Sequence, residues 1–406
     1  MARVFNGNFD FEHELASAGY NRSKQIERLH AEMTAHLLAL ADAGDWLFYP
    51  CPAPVEFFSD AISDGFPEVG FVEHGDQFPC RAELVPWGWS NQAVELAAAH
   101  NLNRRNPEVE CVTRVNSRQF SFDLELELNS EIVGSAMIDS VGRFRAAVTK
   151  AAKVWNVPAS EFDWLLKAEF GMSGRERISG TGDDLNDSQR NWMERRLDSG
   201  EILFFEPRVK PLCELSTQWQ IAKPVSGDDQ SSDPELVGAT QLVVDDAGQY
   251  VGSILVDHSS PAFWEIECCD ISLEPGLFDQ VLNAAQTVVR RAQVMGYHGP
   301  IGVDSMVYYG PDDGPELRSV QDVNARYTMG RIALEWFRKF AESNRPAWLL
   351  VPPRWLSNSG NPASLRNPIG RQTSPSVING QPVRRVGVLV DDQAEWQQLL
   401  STNLGP

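Results

Sequence analysis

The chain has 406 residues, of which 42% are hydrophobic and 22% charged, a balance typical of folded proteins in a length that calls for two or three packed units. Its 56 acidic side chains outnumber 35 basic ones for a formal net charge of −21, which excludes nucleic acid and anionic membrane as main partners. Six cysteines without a C-x-x-C pair read as reduced thiols, and neither a signal core nor a run near the ~20 apolar residues of a membrane span is present, so the expectation is a soluble, cytoplasmic protein.

Apolar residues at helical spacing (Ile26, Leu29, Met33, Leu37, Leu38) predict a helix over 22–43. Short apolar runs at 46–49, 69–72 and 82–85 predict strands, and Ser90 is placed to cap a following helix. Strand alternating with helix implies a mostly parallel sheet, and this first α/β domain is assigned to 1–115. Next come a helix at 139–157, a strand at 163–168, a loop of small and charged residues at 171–180, a helix at 187–198 capped by Asp187, and a strand at 202–205. The period changes to two from 213 to 257, with Leu215, Thr217, Trp219 and Ile221 on one face and further strands from 241 and from 250. The polar stretch 223–235 reads as a loop. Pro275 opens a long helix to Met295, strands follow at 301–309 and 317–323, and 329–340 is a helix. The tail after 345 is rich in Pro, Ser and Asn up to 382 and ends in a strand at 386–390 and a short helix.

Four local features bear on chemistry. Lys167 ends an apolar strand four residues before Gly171, where its point charge and the backbone N–H groups of a Gly171/Gly174 loop can meet phosphates. Glu206 ends a strand that Pro207 interrupts, a hinge with backbone groups free for the edge of an adenine. Asp304 is a carboxylate inside an otherwise apolar strand, a cost that a metal ion would offset; otherwise it faces solvent. Asp322, Asn324 and Arg326 share one face of a strand by the period of two, presenting hard oxygen ligands for Mg²⁺ and a guanidinium for a phosphoryl oxygen. The alternative is an exposed edge with a single ion pair. An antiparallel turn between residues 304 and 322 would set the two carboxylates side by side. His258 beside Ser259 lacks a G-x-S-x-G elbow, so a hydrolase is not indicated, and Trp87 and Trp89 read as packing between domains.

In this order Lys167, the 171–180 loop, Glu206, Asp304 and Asp322-Val-Asn324-Ala-Arg326 resemble the ATP-grasp superfamily over about residues 110–340. The resemblance implies two α+β subdomains that clasp a nucleotide, preceded by the small α/β domain: a lid at 116–206, a catalytic subdomain at 207–344 and a C-terminal extension at 345–406. It implies ATP as co-substrate and Mg²⁺ held by Asp304, Asp322 and Asn324. Arg118, Lys167, Gly171, Ser173, Gly174, Glu206, Val209 and Glu214 would then line the nucleotide, with Arg326 on the transferred phosphoryl group. The implied activity is carboxylate–amine ligation through an acyl phosphate, on an amino acid or peptide-like acid. A phosphotransferase and a non-catalytic nucleotide-binding relative are the alternatives. Position 322 departs from the pattern by carrying Asp for Glu, and Arg118 stands where lysine is common. The tail is left with two uses, a cap over the site or a homodimer contact.

Overall fold

The computed structural model describes residues 1–17, 19–171, 176–224, 232–245, 248–256, 276–356, 365–367 and 369–403. Ser173, Gly174, His258, Ser259 and Pro275 lie outside them, as does most of the 223–235 stretch.

Four short strands, β1 (Arg3–Asn6), β2 (Trp46–Tyr49), β3 (Gly70–Glu73) and β4 (Glu83–Pro86), form a parallel sheet in the order β3-β2-β1-β4. Helices α1 (Phe11–Ala16), α2 (Lys24–Thr34), α3 (Val55–Ser63) and α4 (Asn91–Ala99) accompany it. Strand β1 has no sequence expectation behind it: between Arg3 and Asn6 only Val4 and Phe5 are apolar, too short a run to read. The helix expected over 22–43 stops at Thr34 and continues as a 3-10 turn, Ala35–Ala39. The Thr34 hydroxyl donates to the His30 carbonyl at 2.7 Å, the back-bond that loosens and bends a helix at a threonine. Ser90 caps α4, its hydroxyl accepting from the Ala93 N–H.

Helices α5 (Val109–Val115) and α6 (Arg118–Leu128) lead into a second unit made of β5 (Ala136–Ile138), α7 (Val141–Val154), β6 (Asp163–Lys167), β7 (Arg177–Thr181), α8 (Asp187–Asp198) and β8 (Leu203–Pro207). Its antiparallel sheet, ordered β5-β8-β6-β7, packs on a core containing Phe144, Trp164 and Phe205. Each such buried side chain contributes roughly 1.5–3 kcal/mol. The stretch read as a loop over 171–180 is a strand from Arg177 onward, paired in register with β6. The cap of α8 is Asn186, not Asp187: it accepts from the Gln189 N–H while the Gln189 side chain accepts from its own N–H, both at 2.9 Å.

The largest element is a nine-stranded sheet. It contains β9 (Pro211–Ile221), β10 (Glu235–Val244), β11 (Tyr250–Val256), β12 (Gly299–Tyr309), β13 (Pro315–Asn324), β14 (Ala347–Val351), β15 (Arg366–Asn367), β16 (Gly370–Gln372) and, after a hairpin of β17 (Val377–Ile378) and β18 (Gln381–Pro382), β19 (Val386–Val390). The order is β13-β12-β9-β10-β11-β14-β19-β16-β15. Helices α9 (Leu277–Val294) and α10 (Met329–Phe340) pack on it, and α11 (Gln393–Asn403) closes the chain. The tail after 345 therefore extends the same sheet, with β14 between β11 and β19. All five residues of β14 are buried, so it carries no alternation for a sequence pattern to show.

One irregularity matters for the site. Asp304 pairs with Asp322, but Met306, two residues on, pairs with Arg318, four residues back. β13 thus carries two extra residues here, a bulge that re-aims side chains beside a cleft.

Candidate active site

A cleft of about 270 Å³ opens between the 136–207 unit and the large sheet. Arg118, Lys167, Gly171, Glu214, Asp304, Asp322, Asn324 and Arg326 all line it. Eight residues singled out from sequence, spread over more than half the chain, meet in one place. Glu206 and Val209 are not among the lining residues.

The acidic end is built by β9, β12 and β13. Asp304 stands across from Asp322 in register and from Ser216 on its other side. The Ser216 hydroxyl donates to Asp304 Oδ1 at 2.5 Å, and the Asn324 amide donates to Oδ2 at 3.0 Å. Burial, and then the facing Asp322 charge, push the Asp304 carboxyl up to about 7 despite the Ser216 hydrogen bond. Two carboxylates pressed together with one held ready for a proton are a natural seat for a cation, and carboxylate with amide oxygen is a hard donor set that suits Mg²⁺. Among the described residues no group of three or more His, Cys, Asp or Glu could hold a metal. A cation here would rest on two carboxylates, an amide turned to offer its oxygen, and the phosphates of a bound nucleotide, which is how Mg²⁺ is usually held.

The basic end comes from the smaller antiparallel sheet and α6. Lys167, the last residue of β6, is largely covered and pairs with Glu206 at 2.5 Å. Glu206 is held in turn by Arg318, whose guanidinium also binds Glu125, at 2.8 and 2.7 Å. Burial pushes the Glu206 carboxyl up, but Arg318 and Lys167 together hold it far below the usual range. Burial lowers Lys167 against the pull of Glu206, and raises Glu125 to about 7 against that of Arg318. Glu206, expected to frame an adenine, instead has its carboxylate paired with Lys167 and Arg318 in the structure and does not line the cleft. The strand also runs through Pro207, which pairs with Trp164, and the Arg208 N–H donates to Asp163. That part of the hinge backbone is occupied, and Val209 packs against the apolar group of Ile132, Met306 and Tyr308.

Arg326 lies just past the end of β13 rather than on it. Its Nε donates to Glu12 of α1 at 2.7 Å and Nη1 to the Tyr327 carbonyl at 3.0 Å, and its guanidinium lies over the rings of Phe11 and Trp87. Trp87 thus packs between domains as expected and also touches a cleft residue.

Sequence reasoning missed Ser216, Gln321, Arg318, Glu125 and Glu12. Ser216 had a signal, two residues beyond Glu214 on the same strand and so on the same face. Gln321 had none, because only the bulge brings it to the cleft beside Asp322, where it donates to Glu214 at 2.9 Å. Glu12 is 314 residues from its partner.

No family model and no curated protein sequence matches this chain. Solved structures do. N5-carboxyaminoimidazole synthetase from Staphylococcus aureus, complexed with ADP, is similar over 100% of this chain and 97% of its own, at TM-score 0.54 and 8% identity. N5-carboxyaminoimidazole ribonucleotide synthetase from Thermus thermophilus is similar over 99% and 97%, at TM-score 0.53 and 11% identity. Biotin carboxylase from Campylobacter jejuni, in its β,γ-ATP complex, is similar over 99% and 90%, at TM-score 0.51 and 12% identity. This chain shares the fold of these structures, the ATP-grasp fold expected from its sequence, and the similarity extends into the tail.

Proposed function

We propose that this protein is an ATP-dependent ligase that joins a carboxylate to an amine through an acyl phosphate. The observation that carries the reading is the convergence of Lys167, Arg118, Asp304, Asp322, Asn324 and Arg326 on one cleft. The structural relatives support it: two of the solved structures are complexes with ADP or an ATP species.

The chemical difficulty is an anionic acid attacking an anionic phosphate. Lys167 and Arg118 would face the phosphates from the lid side, and the terminal nitrogens of Arg326 would face the phosphoryl group in transfer. Asp304, Asp322 and Asn324 would hold Mg²⁺, which when bound neutralises phosphate charge and orients the chain for displacement. The acid oxygen attacks the γ-phosphorus, the bond to the β-phosphate oxygen breaks and ADP leaves. The amine then attacks the acyl carbon, loses its proton and expels inorganic phosphate. Closure of the lid unit over the cleft would keep water from the acyl phosphate. Glu214, held by Gln321, is a candidate partner for the ribose hydroxyls. The substrates are small molecules, and an amino acid or peptide-like acid is the working choice.

A non-catalytic nucleotide-binding reading draws support from the Lys167–Glu206 pair, which engages the phosphate-seeking lysine. One experiment separates the two. Pairs of amino acids and carboxylic acids are screened for ADP and phosphate release, with Asp304→Asn as control. A ligase shows release that depends on both substrates and falls at least about a thousandfold in the variant, as for loss of a major electrostatic group. Nucleotide binding with no acceptor-dependent release across the screen would sink the ligase reading.

A further inference from the structure

We propose that Glu12, from the N-terminal domain, is the positioning residue that aims Arg326 at the nucleotide's terminal phosphoryl group; this rests on the nucleotide reading of the cleft. Arg326 is two residues past the end of β13, where no sheet pairing fixes its direction. Three contacts from outside the sheet fix it instead. The Ala325 N–H donates to the Asn116 side chain at 2.8 Å, the Tyr327 N–H donates to the Trp87 carbonyl at 3.0 Å, and Glu12 takes the Arg326 Nε at 2.7 Å.

The way the guanidinium is divided is informative. Nε goes to Glu12 and Nη1 to the Tyr327 carbonyl, while Nη2 makes no hydrogen bond among the described residues. The guanidinium carbon also lies over the rings of Phe11 and Trp87, 5.7 and 5.6 Å from their centroids. A planar group held at Nε and at Nη1 has the direction of its remaining nitrogen, Nη2, fixed as well, and Arg326 lines the cleft. Glu12 is itself buried, and its second oxygen, Oε2, has no partner among the described residues. A carboxylate that uses one oxygen on Arg326 and leaves the other dry is a costly way to stabilise a fold, since buried charge is expensive unless fully satisfied. Fixing a binding group is a use that accounts for the cost. The first domain is then part of the phosphate site as well as its neighbour.

The test measures binding of ADP and of β,γ-methylene-ATP, each with MgCl₂, to the full chain by calorimetry. The panel is wild type, Glu12→Gln, Glu12→Asp, Arg326→Lys and the double variant Glu12→Gln/Arg326→Lys. Glu12→Gln should weaken the triphosphate analogue about tenfold while leaving ADP within about twofold, the size expected for one misdirected charge-assisted hydrogen bond. Glu12→Asp should recover part of the loss, and the double variant should bind no worse than Arg326→Lys, because Glu12 acts through Arg326. A purely structural Glu12 predicts something else: ADP and analogue weakened together, or additive losses in the double variant. Either result overturns the positioning role, as does an unchanged preference in Glu12→Gln. Wild type that binds neither nucleotide overturns the nucleotide reading itself and this role with it, a failure distinct from the others.

Discussion

Two groups of charge lie along strand β13, and they are balanced in opposite ways. Toward its start, Arg318 and Lys167 meet Glu125 and Glu206, two cations with two anions, all ion-paired and all but Lys167 buried. At its end, Asp304 faces Asp322 with Glu214 close enough to add to the repulsion, while the cation there, Arg326, is already engaged by Glu12. The first group is balanced in charge. The second has an excess of negative charge and a cleft in front of it. One strand with a two-residue bulge between the groups separates a cluster that joins the 136–207 unit to the large sheet from a cluster in which carboxylates outnumber cations.

The largest effect should come from breaking the charge-balanced group. Arg318→Leu leaves two buried carboxylates and removes their shared partner, which costs about 3–5 kcal/mol of folding stability. Urea unfolding measures it, and a loss below about 1 kcal/mol would mean the cluster is wetter than its burial indicates. Replacing Glu125, Glu206 and Arg318 together by apolar residues of similar volume should recover part of the loss, the remainder being the cost of leaving Lys167 without its carboxylate partner. The same triple variant should weaken ADP binding, because Lys167 then has no Glu206 to hold it.

The contrast between the groups also shows what the sequence could reveal. Asp304, Asp322, Asn324 and Lys167 were legible because each is a charged or amide group breaking an apolar, period-two run, and the ATP-grasp order of such breaks is visible along the chain. Glu206 was legible as a residue and misread in its use: a strand-ending glutamate looks the same whether it meets a ligand or an arginine 112 residues away. Arg318 sits in a strand pattern that gives no hint of two carboxylate partners from two other elements. The strand β14 was hidden for the opposite reason, being apolar throughout and preceded by a Pro- and Asn-containing stretch that reads as tail. Local periodicity carries information about faces. It carries none about bulges such as that before Asp322, or about contacts that close only when domains pack.

A third buried group sharpens the comparison, because it has neither partner nor cleft. His36, in the 3-10 turn Ala35–Ala39, lies edge-on to Trp348, and its Nδ1 has no hydrogen-bond partner among the described residues. Burial lowers its pKa to about 3, so it stays neutral where the unfolded chain's imidazole, near 6.5, takes a proton. The folded pKa lies below the unfolded one. Above about pH 6.5 the group contributes nothing, and below it stability is lost at about 1.4 kcal/mol per pH unit until about pH 3. At about pH 5 the penalty is about 2 kcal/mol. His36→Gln should flatten the difference in unfolding free energy between about pH 7 and about pH 5 by about that amount. An equal pH dependence in both proteins would place a charge near His36 that the fold does not show.

The smallest effect is the most direct test of the group with excess negative charge. If the facing carboxylates lack only a cation, Mg²⁺ should stabilise the folded chain without any nucleotide. Binding to the folded state alone adds RT ln(1 + [L]/Kd), about 1.4 kcal/mol at a concentration tenfold above Kd. The increment should vanish in Asp304→Asn, which removes one of the two facing charges, and that variant should itself be slightly more stable than wild type in the absence of Mg²⁺, since a buried, repelled carboxylate has been replaced by a neutral isostere. The triple replacement in the Arg318 cluster should keep the increment intact, because it leaves Asp304 and Asp322 untouched. Thermal unfolding of the three proteins with MgCl₂, and with NaCl at matched ionic strength, distinguishes these outcomes. Equal stabilisation of wild type and Asp304→Asn would show that Mg²⁺ acts through the general acidity of the surface, with its net −21, and not at the facing pair.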